Sequence, residues 1–486
     1  MIAKSQMQHD RPVRLYERVA DDIAGMIAGG VMQPGDRLPS VRELRRRQNV
    51  SLATVLEAYR LLEDRGLITV RPQAGHYVTS GGMIRLEPST SVPISDPREV
   101  TAGELILRVM RDTQSPSIRV PLGLALPSPA ILPTKSLQRI LVSLTRAEEL
   151  ASSTYELPPG SEVLRLQIAR RLRSFGLAVS PSEIVITAGC QEALVLALRA
   201  ICKPGDAVAI ESPTYFNFLQ AIEMLHLQAL EIATHPREGM VLEQLEEAVQ
   251  RHNVRACLLC TNFANPLGGC MPDAKKQKLA EICSKSGVTL IEDDILGDLP
   301  HGPVRPRTAK SFDTDGSVVL CSSFSKSLAP GYRIGWIVAG KYQNEVERLK
   351  ATTNPSTPIL PQLAVAKFLS TGAFDRHLRR TGRIYARQMN QAAQAVLHSF
   401  PTGTRVSRPS GGYLLWVECP ASLDSIELYS RAAKVGISIA PGPMFSPGGT
   451  AFRNCFRISC GAWSSRVEGA VERLGEIARH MIGDRR

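Results

Sequence analysis

The sequence has no apolar run approaching the ~20 residues needed to cross a bilayer. Its first residues, MIAKSQMQHD, lack the hydrophobic stretch of an export signal. A membrane or secreted protein is not expected; a cytoplasmic one with reduced thiols is. No internal repeat and no low-complexity tract is present. The ten cysteines are scattered singly. The one C-x-x-C, Cys257 and Cys260 in VRACLLCTNF, has the surroundings of a buried strand and no second pair at zinc spacing. The expectation is small buried hydrophobes and no metal site.

What is present is a long, globular composition. At ~100–200 residues per domain, 486 residues make two to four units. The hydrophobic fraction of 43% and charged fraction of 21% exclude a disordered or collagen-like chain. The net charge is +12, yet residues 1–80 carry only twelve Lys and Arg against nine Asp and Glu. Net charge alone therefore argues weakly for an anionic partner.

The first eighty residues read as three helices and a hairpin. Leu15, Val19, Ile23 and Ile27 are spaced four apart, one helical face, and Gly29-Gly30 closes it. Pro34-Gly35 marks a turn. Ser40 with Glu43 forms a capping-box pattern for a short second helix ending near Asn49. Ser51 caps a third, with Val55, Tyr59 and Leu62 inward and Gly66 as the stop. LITV and HYVTS flank Pro72-Gln73-Ala74-Gly75, a small hairpin. Together these elements predict a winged helix-turn-helix. Arg42, Arg45, Arg46 and Arg47 place guanidinium groups near the third helix, suited to phosphates and guanine edges. Taken alone they read more readily as a solvated face.

The string PGDRLPSVRELRRRQNVSLATVLEAYRLLEDRGLITVRPQAGHYV resembles the DNA-binding domain of GntR-type bacterial regulators. The resemblance implies an operator DNA partner, contacted by Arg42, by Ser51 and Thr54, and by Gly75 and His76 at the wing. The family commonly carries Arg after the Ser of V-S; here Leu52 stands there. Residues 81–101, rich in Gly, Pro, Ser and Thr, read as a linker between a domain at 11–80 and a larger one at 102–486.

In that larger part, apolar runs (EIVITAG, DAVAIES, RACLLCT, VTLIEDD, SVVLCSSF, GWIVAG) alternate with helical stretches. This predicts an α/β domain with a largely parallel sheet. GGYLLWVEC, NCFRISC and a closing amphipathic helix predict a smaller C-terminal α+β subdomain over roughly 355–486.

SSFSKSLAPGYRIGWIVAG resembles the lysine segment of pyridoxal-phosphate enzymes of the aspartate aminotransferase fold, fold type I. The resemblance makes Lys326 the Schiff-base lysine and Ser323 and Arg333 phosphate ligands. It adds Gly189, Cys190 and Gln191 at a strand-turn-helix start. It sets Tyr215 over the pyridine ring and Asn265 on the ring oxygen. Asp293 falls at the pyridinium nitrogen and Arg457 at a substrate carboxylate. Tyr155 would reach the neighbouring subunit's phosphate, which implies a homodimer. The chemistry agrees: an amine condenses with an aldehyde, a planar cation suits phosphate, and a carboxylate keeps the ring an electron sink. The family usually has Tyr shortly after the Asp, where Ile295 and Leu296 stand. Loss of that donor argues against efficient transamination.

The joined pattern resembles the MocR subfamily. It implies a transcription regulator whose pyridoxal-phosphate domain senses an amino compound or the cofactor. Two alternatives stay open, a true aminotransferase retaining the N-terminal domain and a regulator with a cofactor-free scaffold.

Overall fold

The computed structural model describes residues 15–28, 31–33, 35–64, 67–71, 75–78, 87–93, 96–147 and 153–483. The chain divides into two compact units, through residue 85 and from residue 86 on.

The first unit holds α1 (Leu15–Ala28), α2 (Val41–Gln48), α3 (Leu52–Asp64) and an antiparallel pair, β1 (Ile68–Arg71) and β2 (Gly75–Val78). Val19, Ile23, Leu44, Val55, Tyr59, Leu62, Ile68 and Val78 build its core. Leu15 does not join them; on the first turn of α1 it stands 51% exposed. Ser40 caps α2 by accepting from the Glu43 amide, 3.2 Å. The capping box is only half formed, because the Glu43 carboxylate takes the Arg47 guanidinium at 2.6 Å instead. Asn49, at φ 52°, ends α2 in the left-handed conformation. The expected stops at Gly29-Gly30 and Gly66, the turn residues Pro34 and Pro72-Gln73-Ala74, and residues 11–14 lie outside the described residues.

In the second unit β3 (Val120–Pro121) precedes the large sheet. That sheet comprises β4 (Ile184–Thr187), β5 (Ala207–Ser212), β6 (Gln228–His235), β7 (Gly239–Met240), β8 (Val254–Leu259), β9 (Thr289–Asp293), β10 (Val318–Ser323) and β11 (Gly335–Val338). Their order across the sheet is β4-β11-β10-β9-β8-β5-β6-β7. Alternate residues enter different cores: Val208, Ile210 and Leu258 on one face, Ala209, Cys257 and Leu259 on the other. Burial on both faces explains the unbroken apolar runs. The sheet is mixed rather than all parallel. β11 runs antiparallel to β10 and β4, and β7 antiparallel to β6. β11 follows β10 without the crossover helix that a parallel neighbour needs, so it turns back.

The small lobe carries β12 (Arg405–Val406), β13 (Leu414–Glu418), β14 (Ile437–Ser438), β15 (Ala440–Pro441) and β16 (Cys455–Ser459). Four of them form an antiparallel sheet, β12-β13-β16-β15, while β14 pairs in parallel with β3. The helix Ile359–Ser370 buries Val365, Ala366 and Phe368 in one core with Leu164, Ile168 and Leu172, and Phe374 at the start of the helix Ala373–Ser399 joins that core. The small lobe takes in residues 120–122 from the start of the unit, since Ser459 donates its amide to the Leu122 carbonyl.

Of the segment expected as a linker, 81–101, residues 81–86, 94 and 95 lie outside the described residues, while 87–93 and 96–101 carry contacts to the larger unit. Arg98 exchanges backbone hydrogen bonds with Ala229 and pairs with buried Glu231. Ser91 bonds Thr234 twice. Glu87 takes Arg237 from the large lobe and Arg408 from the small one. Composition marks a linker without naming its partners; satisfied backbone groups and ion pairs bind these residues down.

Candidate functional site

The carboxyl ends of β8 and β9 open onto a cavity lined by Ala125, Tyr215, Asn262, Asn265, Asp293 and Lys326 together with Phe263, Ile295 and Leu296. Lys326 donates to the Ala125 carbonyl at 2.7 Å. Burial pushes its ammonium down to about 8, with nearby Arg457 adding to the shift and Asp293 opposing it. Asp293 ends β9. Its Oδ1 accepts from the Ile295 amide at 2.9 Å and from the Cys190 thiol at 3.4 Å. Burial raises this carboxyl to about 6 against those bonds.

A second group stands at the end of β4. Gly189, at φ +89°, leads into the helix Cys190–Ile201, whose first amides carry the positive helix end. Arg333 donates to the Ala188 carbonyl at 3.0 Å and to Ser325 Oγ at 3.2 Å. Ser323 Oγ donates to Ser325 Oγ at 2.7 Å and accepts the Ser325 amide at 2.9 Å. A Cβ on Gly189 would fall 2.3 Å from Arg333 Nη2, so the cradle depends on glycine. Gln191 turns toward Asn217, whose Nδ2 donates to it at 3.2 Å.

Arg457, on β16, is completely buried. It donates to Asn265 Oδ1 at 2.9 Å and to the Gly123 carbonyl, while its Nε has no partner among the described residues. Desolvation lowers it to about 10. Tyr155 is different. It is 81% exposed and does not line the cavity of its own chain.

In the first unit, Ser51 Oγ accepts the Thr54 amide at 3.0 Å and meets Thr54 Oγ1 at 2.8 Å. Arg42 is exposed on α2. Gly75 starts β2 at φ +108°, with Arg37 Nε 3.4 Å from where its Cβ would be. His76 stacks tilted on Tyr59, ring centres 4.6 Å apart, so its ring supports the core as much as the wing.

Two family matches fall one in each unit. Residues 15–78 match the bacterial regulatory proteins of the gntR family, and residues 135–474 match aminotransferase class I and II. The HTH-type transcriptional regulator YdcR of Escherichia coli is 41% identical over 97% of this chain and 100% of its own length. The chain belongs to the MocR subfamily of GntR-type regulators. Among solved structures, this MocR-type chain resembles the kynurenine aminotransferase of Pyrococcus horikoshii in complex with PMP. The TM-score is 0.72 at 27% identity, covering 77% of this chain and 94% of that one. It also resembles LysN, the alpha-aminoadipate aminotransferase of Thermus thermophilus complexed with N-(5'-phosphopyridoxyl)-L-leucine. There the TM-score is 0.70 at 26% identity, covering 79% of this chain and 100% of that one.

The donor set of the MocR-type site fits pyridoxal phosphate. A glycine-dependent cradle with Arg333 and a helix start suits a phosphate, Lys326 an aldehyde, and Asp293 a ring nitrogen. Ile295 and Leu296 line the cavity with no hydroxyl. Several residues escaped sequence reading. Ser325 holds Ser323 and Arg333 together. Ala125 and Gly123 accept from Lys326 and Arg457 through carbonyls, which no side-chain pattern announces. Tyr413, buried, also donates to Ala125, at 3.2 Å. Arg37 had a signal: its place beside a turn in PGDRLPS.

Proposed function

We propose that this regulator binds operator DNA through residues 15–78 and senses an amino compound, one bearing a carboxylate, in its pyridoxal-phosphate cavity. The observation that carries the reading is a buried amine, Lys326, near a buried Arg457, in a cavity whose wall after Asp293 is formed by Ile295 and Leu296. Bound there, the cofactor supplies an aldehyde that condenses with primary amines and a ring that withdraws electrons. Ser323, Arg333 and the amides after Gly189 would hold its phosphate. Asp293 would face the ring nitrogen and Asn265 the ring oxygen, with Arg457 fixing the Asn265 amide. Lys326 would present the amine to the cofactor's aldehyde, the position a ligand amine would compete for. Arg457 would clamp the ligand carboxylate. Without a phenol on the ring oxygen, the site favours ligand capture over rapid turnover.

Ligand capture reaches DNA through the strap at 87–101. Glu87 touches both lobes, so a change in lobe angle pulls on the segment that follows the DNA-binding unit. Arg42, Ser51, Thr54, Gly75 and His76 contact the duplex, with Arg37 beside Gly75. The chain acts in the cytoplasm as a homodimer, Tyr155 reaching the partner's phosphate. Among the described residues no helix is long and apolar enough to cross a membrane.

A second reading, a working aminotransferase, is favoured by the complete set of Lys326, Asp293, Arg333 and Arg457. One experiment separates the two. Operator DNA is titrated with and without amino acids that change the visible absorption of the bound cofactor. A five- to 150-fold change in DNA affinity, a coupling of ~1–3 kcal/mol, supports the sensor. Unchanged affinity with fast multiple turnover on a keto acid moves the assignment to the enzyme.

A further inference from the structure

Near its N-terminus α3 shows apolar side chains where a DNA-reading helix is expected to be polar. Leu52 is 44% exposed and Leu56 50%. Four residues apart, they lie in one row of the helix, with Ala53 exposed beside them, while the exposed Glu57 and Arg60 that follow pair with each other at 4.0 Å. Val55, Ala58, Tyr59 and Leu62 form the core-facing side. Packing within the unit leaves about half of each leucine uncovered.

The surroundings say what covers them. Arg42, Arg45 and Arg46 are exposed on α2, Arg37 is exposed beside the wing, and Ser51 caps the helix start immediately before Leu52. A partner must offer anionic groups at the rim and apolar groups at the centre. The major groove does so wherever it shows a thymine, whose 5-methyl projects between two phosphate rows. Leucine has no donor or acceptor, so it cannot select guanine, adenine or cytosine by hydrogen bonding.

We propose that Leu52 and Leu56 are specificity-determining residues that read thymine 5-methyl groups in the operator. The inference rests on the DNA-binding reading above and goes beyond it by naming the base chemistry. Affinity comes from the rim arginines through phosphates, and sequence choice at these positions comes from buried methyl contact.

The test uses the full-length protein and a random duplex pool. Selected half-sites should hold T·A pairs at fixed positions. Replacing those thymines by uracil removes only the methyl and should weaken binding about four-fold per site, the value of one buried carbon. Leu52→Ala and Leu56→Ala should erase the thymine–uracil difference at their own positions while leaving the salt dependence unchanged. Both sites are exposed on a helix that tolerates alanine, and an unchanged melting temperature checks the fold. Sequence-specific binding in which uracil is as good as thymine everywhere overturns the inference and leaves the DNA-binding reading standing. Failure to select any sequence removes both. If Leu52→Arg or Leu56→Arg lowers the oligomeric mass without DNA, the patch covers another copy of the chain, and the inference falls.

Discussion

Two buried ionisable groups illustrate what single residues decide here. Lys326 must be neutral to attack an aldehyde, and burial holds its ammonium near 8 instead of the usual range. The neutral fraction grows as pH rises through that value. The rate of cofactor uptake by the apo-protein should therefore climb between about pH 7 and 9 and level off above. Stopped-flow absorbance measures it, and Lys326→Ala should show no such phase. Glu211 is buried on β5, with Oε2 accepting the Cys260 amide at 3.1 Å and Oε1 without a partner among the described residues. Burial raises its carboxyl to about 8. The unfolded chain releases this proton near 4.5, the folded chain only near 8. Folding stability is therefore fully present below the lower value and declines as pH rises to the upper one. Glu211→Gln keeps the acceptor and removes the titration. Thermal melts should show the variant losing less stability than wild type between pH 5 and 8, by on the order of a few kcal/mol.

At the scale of elements, the cradle between β4 and its helix is a packing problem as much as a charge problem. Gly189 needs φ +89°, and Gly335 of β11 backs directly onto it, its would-be Cβ 2.4 Å from the Gly189 carbonyl carbon. Gly189→Ala should cost at least ten-fold in cofactor affinity, measured by equilibrium dialysis, with the lobe still folded by circular dichroism. The strap is the other element with a job. Ser91 and Arg98 fasten it to β6, and Glu87 bridges Arg237 and Arg408. Glu87→Gln should leave cofactor binding unchanged, raise hydrogen exchange over 87–93, and reduce the ligand-induced change in DNA affinity. Full coupling in that variant would remove the strap from the signalling route.

Across the whole molecule, an exposed Tyr155, followed in the chain by exposed Leu157 and Val163, fits a face covered by a second copy. Sedimentation should give a dimer, and Tyr155→Phe should weaken cofactor retention several-fold. Mixing Tyr155→Phe with Arg333→Ala subunits should restore one intact site per hybrid dimer. The sequence by itself determined the elements and the chemical inventory. Apolar runs located six of the eight strands of the large sheet but not β6 or β7, caps located α2 and α3, and Ser323, Lys326 and Arg333 lie within one short segment whose order is local information. The tertiary structure alone decided who answers them. Lys326 meets Ala125 across 201 positions, Arg457 meets Asn265 across 192 and Gly123 across 334, and Ser89 meets Glu418 across 329. Periodicity records which face of an element is buried but not what is buried against it. A loop carbonyl or amide leaves no mark in composition, because every residue has one. The reversed β11, the borrowed β3 and the docked strap follow from chain paths that only long-range packing fixes.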